Sequence, residues 1–287
     1  MTRRDFLAAT AAIPALTPFA TATHTKPKLK KAVKLSMVSP KGATTLDKFE
    51  LVKKIGFEGV EIDSPSSVNK LAAKRSAEKT GIAIHGVIDN LHWTFPLSSP
   101  DANVRAEGLA ALEGALEDAK YYGADTVLLV PGVARGGVTY EQCFERSQAE
   151  VRKVLPIAEK LGIVIAIEVV WNDFITKPEQ LVKYVDDFHS KYVGAYFDCS
   201  NMLKYGVSAG DWIRALGKRM VKFDFKGYKH GVEKPWVPIG EGDENWPDVL
   251  KALDEVGYTG WATSEVSGGG EKELKDIFDR MTKVLEQ

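Results

Sequence analysis

Four short apolar runs in the second half of the chain, at 164–168, 194–198, 220–224 and 260–265, each close on a carboxylate. The acids are Glu168, Asp198, Asp224 and Glu265, separated by 30, 26 and 41 residues, which is the spacing of successive strand–helix units. Carboxylates crowded into one space repel each other and take up protons unless a cation offsets them. A divalent metal is the simplest such cation, so all four are candidate metal ligands. Their oxygen-only donor set favours Mn2+ or Mg2+, with Zn2+ as third choice. The five histidines and two cysteines contain no His-Glu-x-x-His or Cys-x-x-Cys. Each acid also has a plainer reading. Glu168 and Glu265 can pair with a rim Lys or Arg, and Asp198 and Asp224 can cap the turns after them.

The elements needed to position these acids repeat eight times. Apolar, β-branched runs predict strands at 32–38, 59–62, 82–87, 126–130, 163–169, 193–198, 220–225 and 261–265. Amphipathic patterns predict helices at about 45–55, 67–80, 101–122, 140–161, 178–190, 209–217, 246–256 and 271–286. Gly56, Gly81, Gly123, Gly162, Gly217 and Gly257 mark helix ends, and Asp101, Thr139 and Asn245 mark starts. One composition regime throughout predicts the α/β class and a single (β/α)8 barrel over residues 32–287. In such a barrel the C-terminal strand ends share one mouth, where the four acids would meet.

Two loops after strands, 89–100 and 226–244, are long for this architecture and rich in aromatics. They and the turn after strand five place His92, Trp93, Trp171, Asn172 and His230 as candidate substrate contacts or, equally, as loop packing. His85 reads as a core histidine, and Glu61 and Asp63 as strand-end acids that reach the mouth or cap a helix. His24 and His189 read as peripheral. Cys143 and Cys199 are too few for a disulfide framework and are expected to be free.

The N-terminus carries Arg3-Arg4, then Phe6-Leu7, a modest apolar stretch and Ala20-Thr21-Ala22. This pattern predicts a twin-arginine export signal over 1–22, a linker over 23–31, and a periplasmic or otherwise exported protein. The stretch is too short and weakly apolar to anchor a membrane once cleaved. The full chain carries a formal charge of −1, which provides no electrostatic footprint for nucleic acid.

Four segments together resemble a known group: Ala166-Ile167-Glu168, Phe197-Asp198-Cys199-Ser200-Asn201, Asp224-Phe225-Lys226 and Thr263-Ser264-Glu265. They are similar to the metal-site segments of the sugar phosphate isomerase/epimerase superfamily with a xylose isomerase-like TIM barrel. That group includes ketose 3-epimerases and hydroxypyruvate isomerases. Residues 129–132, 211–217 and 240–246 are similar as well, so the resemblance spans 32–287. It implies Glu, Asp, His and Glu ligands on successive strands, which fall on Glu168, Asp198, Asp224 and Glu265. Asp224 departs from the usual His, leaving a more anionic site that prefers harder cations. Asn201 departs too, standing where several ketose epimerases carry a His behind the ligands.

The implied chemistry is metal-assisted removal of a proton beside a sugar carbonyl, through an enediolate. Glu168 and Glu265 are the implied catalytic pair, one on each face of the substrate. Lys226 either touches a substrate oxygen or forms a salt bridge. The expected partner is a small carbohydrate, and a homodimer is the assembly such barrels commonly form. Competing readings are an exported 3-keto-glycoside lyase working by β-elimination and a non-catalytic sugar-binding protein. A phosphodiesterase of the endonuclease IV type fits poorly, since it needs many histidines and a basic face.

Overall fold

The computed structural model describes residues 28–287, so the signal reading over 1–22, most of the linker and His24 lie outside the described residues. Eight parallel strands close into a barrel in chain order. They are β1 (Lys30–Lys34), β2 (Gly59–Ser64), β3 (Ala83–Asp89), β4 (Thr126–Leu129), β5 (Val164–Glu168), β6 (Val193–Asp198), β7 (Met220–Phe225) and β8 (Trp261–Ser264). Pairing of Lys30 with Trp261 and of Val33 with Ser264 joins β1 to β8 and completes the ring. The helices between and after them are α1 (Thr45–Ile55), α2 (Lys70–Thr80), α3 (Ala102–Tyr122), α4 (Tyr140–Leu161), α5 (Pro178–Asp186), α6 (Ala209–Leu216), α7 (Trp246–Glu255) and α8 (Glu271–Leu285).

Local chemistry explains the helix boundaries. The side chains of Asp101, Thr139 and Asn245 each accept a backbone N–H in the first turn, satisfying donors that have no partner inside the helix. Gly56, Gly81, Gly123 and Gly162 close α1 to α4 in the left-handed conformation. One strand differs from expectation. β1 stops at Lys34, and Leu35–Met37 forms a 3-10 turn instead of more strand.

Successive strand residues face opposite sides, which sorts the barrel into two layers. Val33, Ile165, Ile167, Phe197, Phe223 and Phe225 belong to the core between strands and helices. Ala166 and Tyr196 instead join Ile88 and Leu128 in a small cluster inside the barrel. The same two-residue period carries Glu168, Asp198 and Asp224 inward at the strand ends, and places Lys34 inward at the end of β1. The register shifts between Val60 and Glu61 and between Ala195 and Tyr196. Bulges re-aim side chains, and here both sit beside residues that meet inside the barrel. The Tyr196 hydroxyl lies 3.0 Å from both Glu61 carboxyl oxygens.

The 226–244 loop is a built hairpin. Tyr228 bridges Trp236, Lys229 N donates to Pro235 O, and Val237 N donates to Gly227 O. A Cβ on Gly227 would stand 2.4 Å from Val237 O, so the close return of this loop requires glycine there.

Candidate metal centre and its cavity

The four acids predicted to meet do meet. One carboxylate oxygen from each of Glu168, Asp198, Asp224 and Glu265 lies within 4.8 Å of the others. Asp198 and Asp224 are fully buried, and Glu168 is 5 % exposed. Strand parity places three of them: the apolar neighbours of Glu168, Asp198 and Asp224 are drawn outward into the helix layer, leaving the acids inside, while Glu265 follows directly after the end of β8.

The expectation that a metal alone would offset these charges needs correction, because two ammonium groups share the site. Lys34 Nζ lies 3.1 Å from Asp224 Oδ2 and 2.9 Å from Glu265 Oε1. Lys226 Nζ lies 3.2 Å from Asp198 Oδ2 and also contacts Glu265 Oε2. The sequence reading missed Lys34 because it extended β1 to residue 38, which hid the fact that Lys34 is itself a strand-end residue. A lone lysine between Val33 and Leu35 was the available signal.

The electrostatics divide the acids. Burial opposes ionisation of Glu265, but Lys34 and Lys226 outweigh it and hold the carboxyl down at about 2. Burial and the neighbouring Glu265 push Glu168 well above the usual carboxylate range. The Glu168 carboxyl has no hydrogen-bond partner among the described residues. Burial likewise pushes Asp224 well up, despite Lys34. Its Oδ1 accepts from the Tyr196 hydroxyl at 2.6 Å. One hydroxyl proton serves one acceptor at a time, so a proton on either Glu61 or Asp224 completes this contact. Burial raises the Glu61 carboxyl accordingly.

The donor set fits a divalent ion. Asp198 Oδ2, Asp224 Oδ2 and Glu265 Oε2 are buried and accept no directed hydrogen bond. Each of these oxygens faces one ammonium group, and a hard cation can use the lone pairs that remain. When all four acids are ionised, the two ammonium groups leave two negative charges uncompensated. That remainder is the charge of a divalent metal.

Above the cluster lies a cavity of about 450 Å3. Of the residues proposed to contact substrate, His92, Trp93, Trp171, Asn201 and Lys226 line it. Burial and Lys34 press the His92 imidazole down to about 4, so the ring is neutral. Trp171 donates its indole N–H to Asn201 O at 2.7 Å and stacks on Trp236 with centroids 4.9 Å apart. Asn201 Oδ1 accepts from Lys226 Nζ at 3.3 Å, and its backbone N–H donates to Asp198 Oδ1 at 2.7 Å. Asp63, one of the two β2 acids, also reaches this cavity, as does Asn90, which the sequence reading did not single out.

Two candidates belong elsewhere. Asn172 is spent inside its loop, donating to Gly132 O at 2.7 Å and accepting from Phe174 N at 3.2 Å. His230 is outside the cavity lining, with its ring nitrogens 2.9 Å from Asp243 Oδ2 and 3.0 Å from Leu203 O. It latches the 226–244 loop to the turn after β6. His85 is a core residue, stacked on Trp261 at 4.1 Å with Nδ1 3.0 Å from Lys222 Nζ.

Glu244, near the end of that loop, braces it against the Asp198 turn. Its Oε1 accepts from Ser200 Oγ and from Tyr228 N, both at 2.6 Å. Burial, eased by Ser200, lifts the carboxyl to about 7. An acid raised in the folded state contributes stability that is complete below its unfolded value and lost as pH rises through the folded one. Glu244→Gln keeps the acceptor but cannot ionise. The variant should match the parent near pH 5 and exceed it by about 3 kcal/mol near pH 8.5. Urea titrations at both pH values check this; equal stability at the higher pH would count against it.

The fold and the acid cluster thus define a parallel α/β barrel whose mouth carries four converging carboxylates that could hold a cation. The chain belongs to the xylose isomerase-like TIM barrel family, whose model matches residues 49–284. L-ribulose-5-phosphate 3-epimerase UlaE of Salmonella paratyphi A is 25% identical over 236 residues, covering 77% of this chain and 81% of the relative. Two solved structures share the fold at lower identity. The 3-keto-D-glucoside 4-epimerase YcjR from E. coli has a TM-score of 0.75 at 17% identity, over 91% of this chain and 100% of that one. The IOLI protein with a bound zinc atom has a TM-score of 0.77 at 18% identity, over 90% and 98%.

Proposed function

We propose that the chain is a divalent-metal-dependent epimerase or isomerase of a sugar or small hydroxy-carbonyl compound, acting by proton removal beside the carbonyl through an enediolate. The observation that carries this reading is the convergence of four acids, outnumbering the two lysines among them, beneath a cavity lined by Trp171 and Trp236. The curated relative named above is a sugar epimerase, which supports the same class.

Glu168, Asp198, Asp224 and Glu265 would hold the metal, with Mn2+ or Mg2+ favoured by the carboxylate-only set and Zn2+ third. A bound dication polarises a substrate carbonyl and so acidifies the adjacent C–H. The chain's own groups do the rest. Lys34 and Lys226 keep Glu265 in the ionised form that can accept a proton, and its placement beside the substrate carbon would make it the base. Glu168, free of hydrogen bonds, returns one from its own side of the cavity. Groups whose surroundings drive their proton affinities apart make such a pair. Trp171 and Trp236 offer flat apolar faces to sugar C–H groups. Asn201 and neutral His92 stand ready to bond hydroxyls, while Lys226 steadies negative charge on the substrate.

Chelation supplies the test. Dialysis against EDTA should lower solvent exchange at the sugar carbon, followed by NMR in D2O, by about 100-fold or more, and Mn2+ should restore it. Unchanged exchange after verified metal removal would sink the reading. Loss of an aglycone instead of exchange at a retained carbon would assign the lyase chemistry.

The proposal keeps the export reading of residues 1–22 and a periplasmic location; intact mass of secreted protein showing cleavage after Ala22 tests both. Among the described residues, no helix is long and apolar enough to cross a membrane.

A further inference from the structure

Behind Trp236 opens a second cavity of about 720 Å3, between the 226–244 loop and α8. Lys226, Trp236 and Glu265 line both cavities, so the two meet at the acid cluster. Their linings differ in kind. The first is walled by acids, lysines, indoles and hydrogen-bonding groups, and the second carries an apolar strip of Val237, Pro238, Ile239, Val266 and Ile277 bordered by charged side chains, Lys272 among them. The charged groups of α8 at its edge are largely spoken for. Arg280 pairs with Asp276 at 2.7 Å and with Glu241 at 2.6 Å. Trp236 is 45 % exposed, although one of its neighbours is the stacked Trp171. A large aromatic left open beside a catalytic mouth is a recognition surface more often than a packing element.

We propose that this second cavity is an aglycone subsite, and that the substrate is a glycoside whose ring carries a ketone: the keto sugar rests on the acid cluster while an apolar aromatic group lies along Trp236, Val237 and Ile277. The inference rests on the sugar chemistry proposed above and narrows its substrate class. Together the cavities offer more room than one sugar ring uses, and sites for small molecules commonly span about 300–1,000 Å3. Both lysines of the sugar cavity already face carboxylates, and along the second cavity apolar side chains outnumber cationic ones. An apolar extension therefore matches the lining better than a phosphate does. Burial of one aromatic ring on such a surface is worth on the order of a tenfold gain in affinity or more.

Isothermal titration of the full chain loaded with Mn2+ tests this with three probes: methyl β-D-glucoside, phenyl β-D-glucoside and glucose 6-phosphate. Phenyl glucoside should bind about tenfold or more tightly than methyl glucoside. Val237→Asp and Ser267→Trp, both on the second cavity and neither on the lining of the sugar cavity, should each erase that advantage and leave methyl glucoside affinity as it was. Equal affinity for the two glucosides overturns the subsite, as does an advantage that survives both substitutions. Tightest binding of the phosphate overturns it in favour of an ionic extension. In all these results, methyl glucoside binding that weakens in Glu168→Gln leaves the sugar reading standing. If methyl glucoside fails to bind and phenyl glucoside ignores Glu168→Gln, the sugar reading fails and the subsite falls with it.

Discussion

Glu265→Gln should lower kcat/KM by about 1,000-fold or more while the protein still folds. The side chain keeps its shape, so the barrel mouth should stay intact, and only the charge is lost. That charge has three uses here. The two lysines hold Glu265 ionised, which is the form that can accept a proton, and its position over the cluster, not its low proton affinity, would make it the base. Its carboxylate is one of the four whose oxygens gather where a cation could sit. It also anchors both Lys34 and Lys226. Losing a positioned general base alone costs about 100- to 10,000-fold, and weaker metal binding adds to that. Proton exchange by NMR together with thermal unfolding separates a chemical defect from a folding one. Turnover within tenfold of the parent, in a folded and metal-loaded variant, would remove Glu265 from the mechanism.

Lys34→Met should produce the largest change in stability. Lys34 is buried and faces two carboxylates, and nothing in methionine replaces the ammonium. Breaking one side of a buried ion pair costs about 3–5 kcal/mol, because the partner's charge is left uncompensated. In a domain of this size that is a fall in Tm of roughly 10 °C in metal-free protein. The pH dependence has a definite sign. Glu265 is depressed in the parent, so its contribution is present above the ordinary carboxylate value and lost as pH falls towards about 2. The gap between parent and variant should therefore narrow as acid protonates the acids. Added Mn2+ should narrow it at neutral pH by supplying a replacement cation. Equal melting of the metal-free proteins at pH 7 would show that Lys34 does not balance this cluster.

The barrel was readable because its evidence is local and repeated. Apolar runs, capping residues and end-glycines recur at each unit, and in most units they mark the boundaries to within a few residues. β1 was the exception. Its apolar character continues through Leu35 and Val38, which the folded chain buries in a turn and an isolated bridge to Gly269 instead of in the strand. That one misjudged boundary concealed Lys34. The aromatic and histidine candidates were harder, since loop residues carry no parity rule. Trp93 and Asn172 look alike in sequence as polar-edged groups on mouth loops. One lines the cavity and the other is consumed by the backbone of residues 132 and 174.

By itself the sequence determined that four acids would arrive at the same end of one barrel, because strand parity and unit spacing are properties of the chain taken a few residues at a time. Only the tertiary structure decided who their neighbours are. Tyr196 meets Glu61 across 135 residues of sequence, Lys34 closes on Glu265 from the opposite end of the chain, and the apolar chamber behind Trp236 forms where a loop and the last helix converge. Such partnerships depend on ring closure, which brings first and last strands together, and no local pattern encodes that contact.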